Sequence, residues 1–181
     1  MREYCKRGLD YRVVRKRFDT HPYMMMQHSS TKNDTIVAYE YLLDLITETF
    51  GCYYIINDKE LMIELIADAI GIADLKYAEE CLNNIIRSKG FNQEIYNRHN
   101  ILTNKELQED FVYATQRRKA RFIKNCCLLT AEEIVDLSDG HVHELDEFTD
   151  IDGNIVNILP YIVNKETQSN NNEGTIINPM D

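Results

Sequence analysis

The chain has 181 residues, 44% of them apolar, and a formal net charge of −10. That length suits one packed domain plus an extension, and no apolar run approaches the ~18 residues that would span a bilayer. The five cysteines are odd in number and form no C-x-x-C pair, so they read as reduced thiols of a cytoplasmic protein and not as a disulfide or zinc framework.

The charge is unevenly placed. Residues 1–130 carry 19 Lys and Arg against 18 Asp and Glu, whereas residues 131–181 carry one Lys against 12 acids. The acidity therefore belongs to the C-terminal stretch, and a nucleic-acid partner for the first 130 residues is not excluded. The N-terminus has no continuous apolar segment of the kind a secretory signal needs.

Residues 1–19 hold seven cations against three acids and form a candidate basic arm, with Val13, Val14 and Phe18 as anchors. Pro22 suits the first turn of a short helix, from which Tyr23, Met24, Met25 and Met26 are expected to pack inward. A helix follows from Asn33 or Asp34 to about Phe50, stopped by Gly51. Cys52–Ile56 is aromatic and β-branched and reads as a short strand. Asn57 with Glu60 resembles a capping box.

Glu60–Gly90 reads as two amphipathic helices around Gly71-Ile72, with Asp74 as N-cap of the second. Beyond Gly90, Phe91-Asn92 and Ile101-Leu102 suggest a short hairpin. Its loop, Gln93–Asn100, would be a wing carrying Arg98. Thr103-Asn-Lys-Glu106 then caps a long helix that ends in the cation run Arg117, Arg118, Lys119, Arg121 and Lys124. Thr130-Ala-Glu-Glu133 caps a further short helix. Little fixed structure is expected after about residue 165.

On a helical wheel of residues 75–89, Lys76, Glu80, Asn83, Asn84 and Arg87 oppose the apolar side. Arg reads guanine and Asn reads adenine in a major groove, so Lys76, Asn83, Asn84 and Arg87 are the candidate base contacts. Arg98, Arg117, Arg118, Lys119, Arg121 and Lys124 are the candidate phosphate contacts. An ordinary solvated face is the competing reading of both sets. His141 and His143 beside Asp139, Glu144 and Asp146 are weak metal candidates. Asp150–Asn154 fails as a calcium loop, because Phe148 and Leu159 would stand where oxygen ligands are required. Phosphate-loop, dinucleotide, zinc-protease and nucleophile-elbow motifs are absent, so neither an enzyme nor a cofactor is expected.

Gly8-Leu-Asp-Tyr11, Gly51-x-Tyr53-Tyr54, Gly71-Ile72, Gly90-Phe91, Ile101-Leu-Thr-Asn104 and Gln108-x-x-Phe111-x-x-Ala114-x-x-Arg117-Arg118 occur in this order. In these motifs, over about residues 7–120, the chain resembles the N-terminal domain of phage-type, DnaD-like replisome organisers. The glycine-rich start that such proteins usually have before the Asn33-Asp34 helix is missing here. The resemblance implies a winged helix, DNA contacts, and replication partners such as a helicase or helicase loader.

The expectation is a mainly α fold with a small β-hairpin, a winged helix-turn-helix. It has a basic arm (1–19), a winged-helix domain (20–125) and an acidic, Asn-rich extension (126–181). Its expected role is a non-catalytic DNA-binding or assembly module of mobile-element replication initiation. The alternative is an oligomerising scaffold without DNA affinity. In a third variant the acidic extension folds over the basic helix and blocks DNA.

Overall fold

The structure, a computed structural model, describes residues 8–9 and 21–158. The basic arm and the stretch beyond 158 lie outside the described residues, apart from Gly8 and Leu9.

The first half is a stack of four helices: α1 (His21–Gln27), α2 (Lys32–Thr49), α3 (Lys59–Ile70) and α4 (Leu75–Arg87). Each packs on α2, and α3 also packs on α4. The shared interior is made by Leu42, Leu43 and Ile46 of α2, Met62 and Ile66 of α3, and Leu82 and Ile85 of α4, all essentially inaccessible. Burial of such side chains contributes about 1.5–3 kcal/mol each. Tyr39 ties this core together. Its ring meets Tyr23 and Phe91 edge-on, at centroid distances of 5.4 and 5.3 Å, and its hydroxyl donates to the Gly90 carbonyl at 3.1 Å. The methionines divide: Met26 is buried as expected, but Met24 and Met25 face outward.

The start of α3 differs by one residue from the expected cap. Asp58, not Asn57, is the N-cap, and its carboxylate accepts from the Leu61 N–H at 3.1 Å. Gly71 ends α3 in the left-handed conformation (φ 72°), and Asp74 caps α4, both as expected.

The expected hairpin after α4 is absent. Phe91 is a core residue outside any strand. Asn92 accepts from the Ile95 N–H at 3.0 Å and opens a helix, α5 (Gln93–His99), which Asn100 ends at φ 54°. The stretch assigned to a wing loop is therefore helical. The next strand, β2 (Ile101–Thr103), pairs antiparallel with β1 (Tyr53–Ile55), Tyr54 lying opposite Leu102. Thus the small sheet brackets α3, α4 and α5. The chain is mainly helical with a two-stranded antiparallel sheet in this half.

Helix α6 (Lys105–Ala114) is capped by Asn104 and not by the expected Thr103, which lies in β2; Asn104 also donates to the Gly90 carbonyl at 2.8 Å. It ends at Thr115, before the cation run, so the expected long basic helix does not form. The chain continues through β3 (Phe122–Ile123), α7 (Ala131–Leu137) and β4 (Glu147–Phe148). Strand β4 runs parallel to β3, and α7 lies in the crossover that a parallel pair requires. Thr130 and Glu133 form the capping box expected at α7.

The boundary expected at residue 125 falls inside the packed unit. Cys126, Leu129, Ile134, Val135, Phe148 and Ile158 are buried in the same apolar cluster as α2 and α4. Buried Gln108 joins the parts. Its amide donates to Thr103 Oγ1 (3.0 Å) and the Cys126 carbonyl (2.7 Å), while its oxygen accepts from the Leu128 N–H (2.7 Å). Residues 126–158 are therefore packed with the rest of the described residues.

Candidate nucleic-acid interface

The α3–α4 pair presents α4 by its outer stripe. Ala78, Cys81, Leu82, Ile85 and Ile86 face the core, which turns Lys76, Glu80, Asn83 and Arg87 outward at helical spacing. Lys76 and Arg87 are exposed and make no ion pair with a described residue. Asn83 is half-buried at the edge of the stripe, and Glu80 accepts a hydrogen bond from the Ser30 hydroxyl.

Asn84 departs from the expectation. It is 7% exposed, and its amide donates to Thr31 Oγ1 at 2.9 Å and to Ser30 Oγ at 3.3 Å. It anchors the loop before α2 to α4 and does not face bases. Next to it, the Tyr77 hydroxyl donates to Asp34 Oδ2 at 2.8 Å, and that bond, more than burial, pushes the phenol pKa up to about 12. Glu79 is held by Lys59 at 2.6 Å, so the side of α4 next to α3 is charge-paired.

The candidate phosphate contacts are dispersed. Arg98 sits in the last turn of α5 and binds Asp152 at 2.6 Å and Glu94 at 3.5 Å, both pairs at the surface. The adjacent His99 places Nε2 at 2.8 Å from the Ile151 carbonyl. The Asp150–Asn154 loop that supplies these partners is closed by the Asp150 carboxylate. It accepts from the Asn154 side chain and the N–H groups of Asp152 and Asn154, which lower its pKa.

Within the run 117–124, Arg121 is 1% exposed. Its guanidinium grips Asp146, with Nη2 at 2.5 Å and Nε at 3.1 Å from Oδ2, and also donates to Ser138 Oγ (2.7 Å) and the His141 carbonyl (2.8 Å). Arg118 Nη2 donates to the Gly8 carbonyl at 2.6 Å. Lys124 pairs with Glu147 at 2.7 Å. Arg117 and Lys119 remain at the surface. The run is a connector in which buried Arg121 holds the C-terminal segment and is turned away from any phosphate backbone, while Lys124 pairs with Glu147 at the surface.

Sequence reasoning missed Lys89, an exposed cation two residues beyond Arg87. It sits where the chain leaves α4 at φ 59°. The wheel of residues 75–89 covers this position without singling it out, although it adds a cation just past the end of α4.

His143 Nε2 lies 2.9 Å from the Gln116 carbonyl and His141 Nδ1 lies 3.3 Å from the Ser138 carbonyl, so both rings serve backbone contacts. No three His, Cys, Asp or Glu residues among those described are grouped to hold a metal. Burial pushes the Cys126 and Cys127 thiols up to about 12 and about 11, which leaves them protonated at neutral pH. No helix among the described residues is long and apolar enough to cross a membrane. Comparison with family models, curated proteins and solved structures finds no match to the chain.

Proposed function

We propose that the chain is a non-catalytic DNA-binding module of phage-type replication initiation in the cytoplasm, with α4 as its reading helix. In this reading the fold is a winged helix-turn-helix variant in which α5 stands in the wing's place. The observation that carries it is the outer stripe of α4. Lys76 and Arg87 stay solvent-facing there with Asn83 between them, while Arg98, Arg121 and Lys124 are paired within the chain. Lys76, Asn83 and Arg87 meet base edges, and Lys89, Arg117 and Lys119 follow phosphates. The resemblance to replisome organisers adds a helicase or its loader as the partner class.

The test is a titration of the full chain with duplex DNA at several salt concentrations. Each phosphate-contacting cation contributes about 0.9 to the slope of log affinity against log salt. Lys89→Ala with Arg117→Ala should weaken binding and flatten that slope, Lys76→Ala with Arg87→Ala should reduce the preference among DNA sequences, and Asn84→Ala should leave the slope unchanged. Salt-independent or absent binding ends the proposal.

One observation favours the second reading, a protein-interaction scaffold. Met24 and Met25 of α1 and Val37 of α2 are exposed apolar side chains. Adaptable methionines suit a protein partner, including a second copy of the chain. Light scattering separates the readings: a stable oligomer without DNA affinity supports the scaffold.

A further inference from the structure

A cavity of about 580 Å³ opens between the end of α2, strand β1 and the connector 118–125. That volume is within the range of small-ligand pockets, roughly 300–1,000 Å³. Its walls are aromatic. Phe50 and Tyr53 stack on each other at 5.0 Å with their planes 15° apart, and Phe122 lies along the connector. Tyr53 is buried in the floor, whereas Phe50 and Phe122 are partly open to solvent. Cations mark the rim: Arg118 and Lys124 both line the cavity, and the Lys124 ammonium stands 5.6 Å from the centre of the Phe122 ring.

A flat apolar group with an anion attached matches this combination. A base inside a duplex cannot enter a cavity, because its faces are already stacked. An unpaired base offers both a face for an aromatic wall and a phosphate for the rim. The Lys124–Glu147 pair is at the surface and contributes little, so a phosphate can displace Glu147.

We propose that this aromatic cavity binds an unpaired nucleotide of single-stranded DNA, the base against Phe122 and the phosphate at Lys124. The proposal rests on the DNA reading above and adds a strand preference at a second place on the molecule. The base lies against Phe122 because that ring is both accessible and backed by the cation. Glu147 opposes the phosphate until it is displaced, which gives the site a charge-dependent threshold.

The chain contains no tryptophan, so Phe122→Trp introduces a single reporter. A short oligothymidylate should quench its fluorescence saturably. Phe122→Leu, which keeps apolar bulk but removes the ring face, should weaken oligothymidylate binding on the order of tenfold and leave duplex binding unchanged. Glu147→Gln should strengthen oligothymidylate binding. Absence of saturable quenching, or wild-type oligothymidylate affinity in Phe122→Leu, overturns the proposal. Duplex binding without quenching refutes this cavity site alone. Quenching without duplex binding refutes the α4 reading and leaves the cavity site standing.

Discussion

Replacing Arg121 by alanine separates a structural cation from a DNA-contacting one. The side chains of Arg121 and Asp146 are 0% and 1% exposed. Asp146 also accepts from the backbone N–H of Arg121 (2.8 Å) and of His143 (3.0 Å), so the substitution leaves its carboxylate buried with backbone donors alone. Ser138 Oγ and the His141 carbonyl each lose the guanidinium donor as well. Breaking one partner out of a buried pair costs about 3–5 kcal/mol, a large part of the roughly 5–15 kcal/mol that holds a typical domain together. At about 2–4 °C per kcal/mol for a chain of this size, the melting temperature should fall by on the order of 10 °C. Circular dichroism during heating and urea titration both read the loss. Asp146→Asn should destabilise in the same direction. The double replacement Arg121→Met with Asp146→Leu should recover much of the loss, because two apolar groups leave no buried charge. A melting temperature unchanged in Arg121→Ala, together with weakened DNA binding, would refute the buried-clamp reasoning and restore Arg121 to the DNA surface.

Gly90→Ala should destabilise by about 1–3 kcal/mol, since a Cβ there would sit 2.8–3.0 Å from Met26, Ile85 and Tyr39 in a filled core. Urea unfolding measures this, and Gly71→Ala is a useful contrast, because strain at φ 72° replaces crowding there. Cys52, Cys81, Cys126 and Cys127 are all buried, so a thiol reagent should modify them only at the rate of unfolding. Immediate modification of any of these four in the native protein would contradict their placement. Glu133 is held below its ordinary pKa, first by the Lys105 ammonium and then by the Thr130 N–H. A depressed carboxylate stabilises the fold above its unfolded value and loses that contribution as pH falls through the folded value. The melting temperature should therefore drop below about pH 4.5. Part of that drop should vanish in Glu133→Gln, and an identical acid profile in the variant would exclude the cap as its source.

The features that local chemistry determines were readable from the chain. Asp74 as a cap, Gly71 as a stop and the Thr130–Glu133 box each concern neighbours within four residues. The inward faces of α2, α3 and α4 follow the helical period only in part: Leu42, Leu43, Ile46, Met62, Ile66, Leu82 and Ile85 are buried at such positions, but apolar Val37, Leu61 and Leu75 are exposed, and Ile63 and Ala67 complete the buried side of α3. Helix α5 was hidden because seven residues with Ile95 as the one buried position give no period, although Asn92 was a usable cap signal. The cation run misled for a different reason. Arg121 and Lys124 find Asp146 and Glu147 more than twenty residues later, and nothing local marks Arg121 as the buried one of the two. Asn84 was misplaced similarly, because its partners at Ser30 and Thr31 lie about fifty residues earlier and convert an outward-looking polar position into a buried tie.

The bracketing of three helices by two short strands also bears on how the chain folds. Thr103 donates to the Cys52 carbonyl across 51 residues, and the whole β1–β2 ladder spans a similar separation. Such a ladder gains nothing until the intervening loop has closed, and the entropy of closure grows with loop length. Helices α3 and α4 can meet α2 through nearer contacts first. The strand pair then acts as a latch that closes over an assembled helical unit. Substitutions at Tyr54 or Leu102 should accordingly speed unfolding more than they slow folding, whereas substitutions at the α2–α4 contact should slow folding. The helix proposed to read DNA would thus be packed before the latch shuts, and its orientation would be held afterwards by a contact far away in sequence.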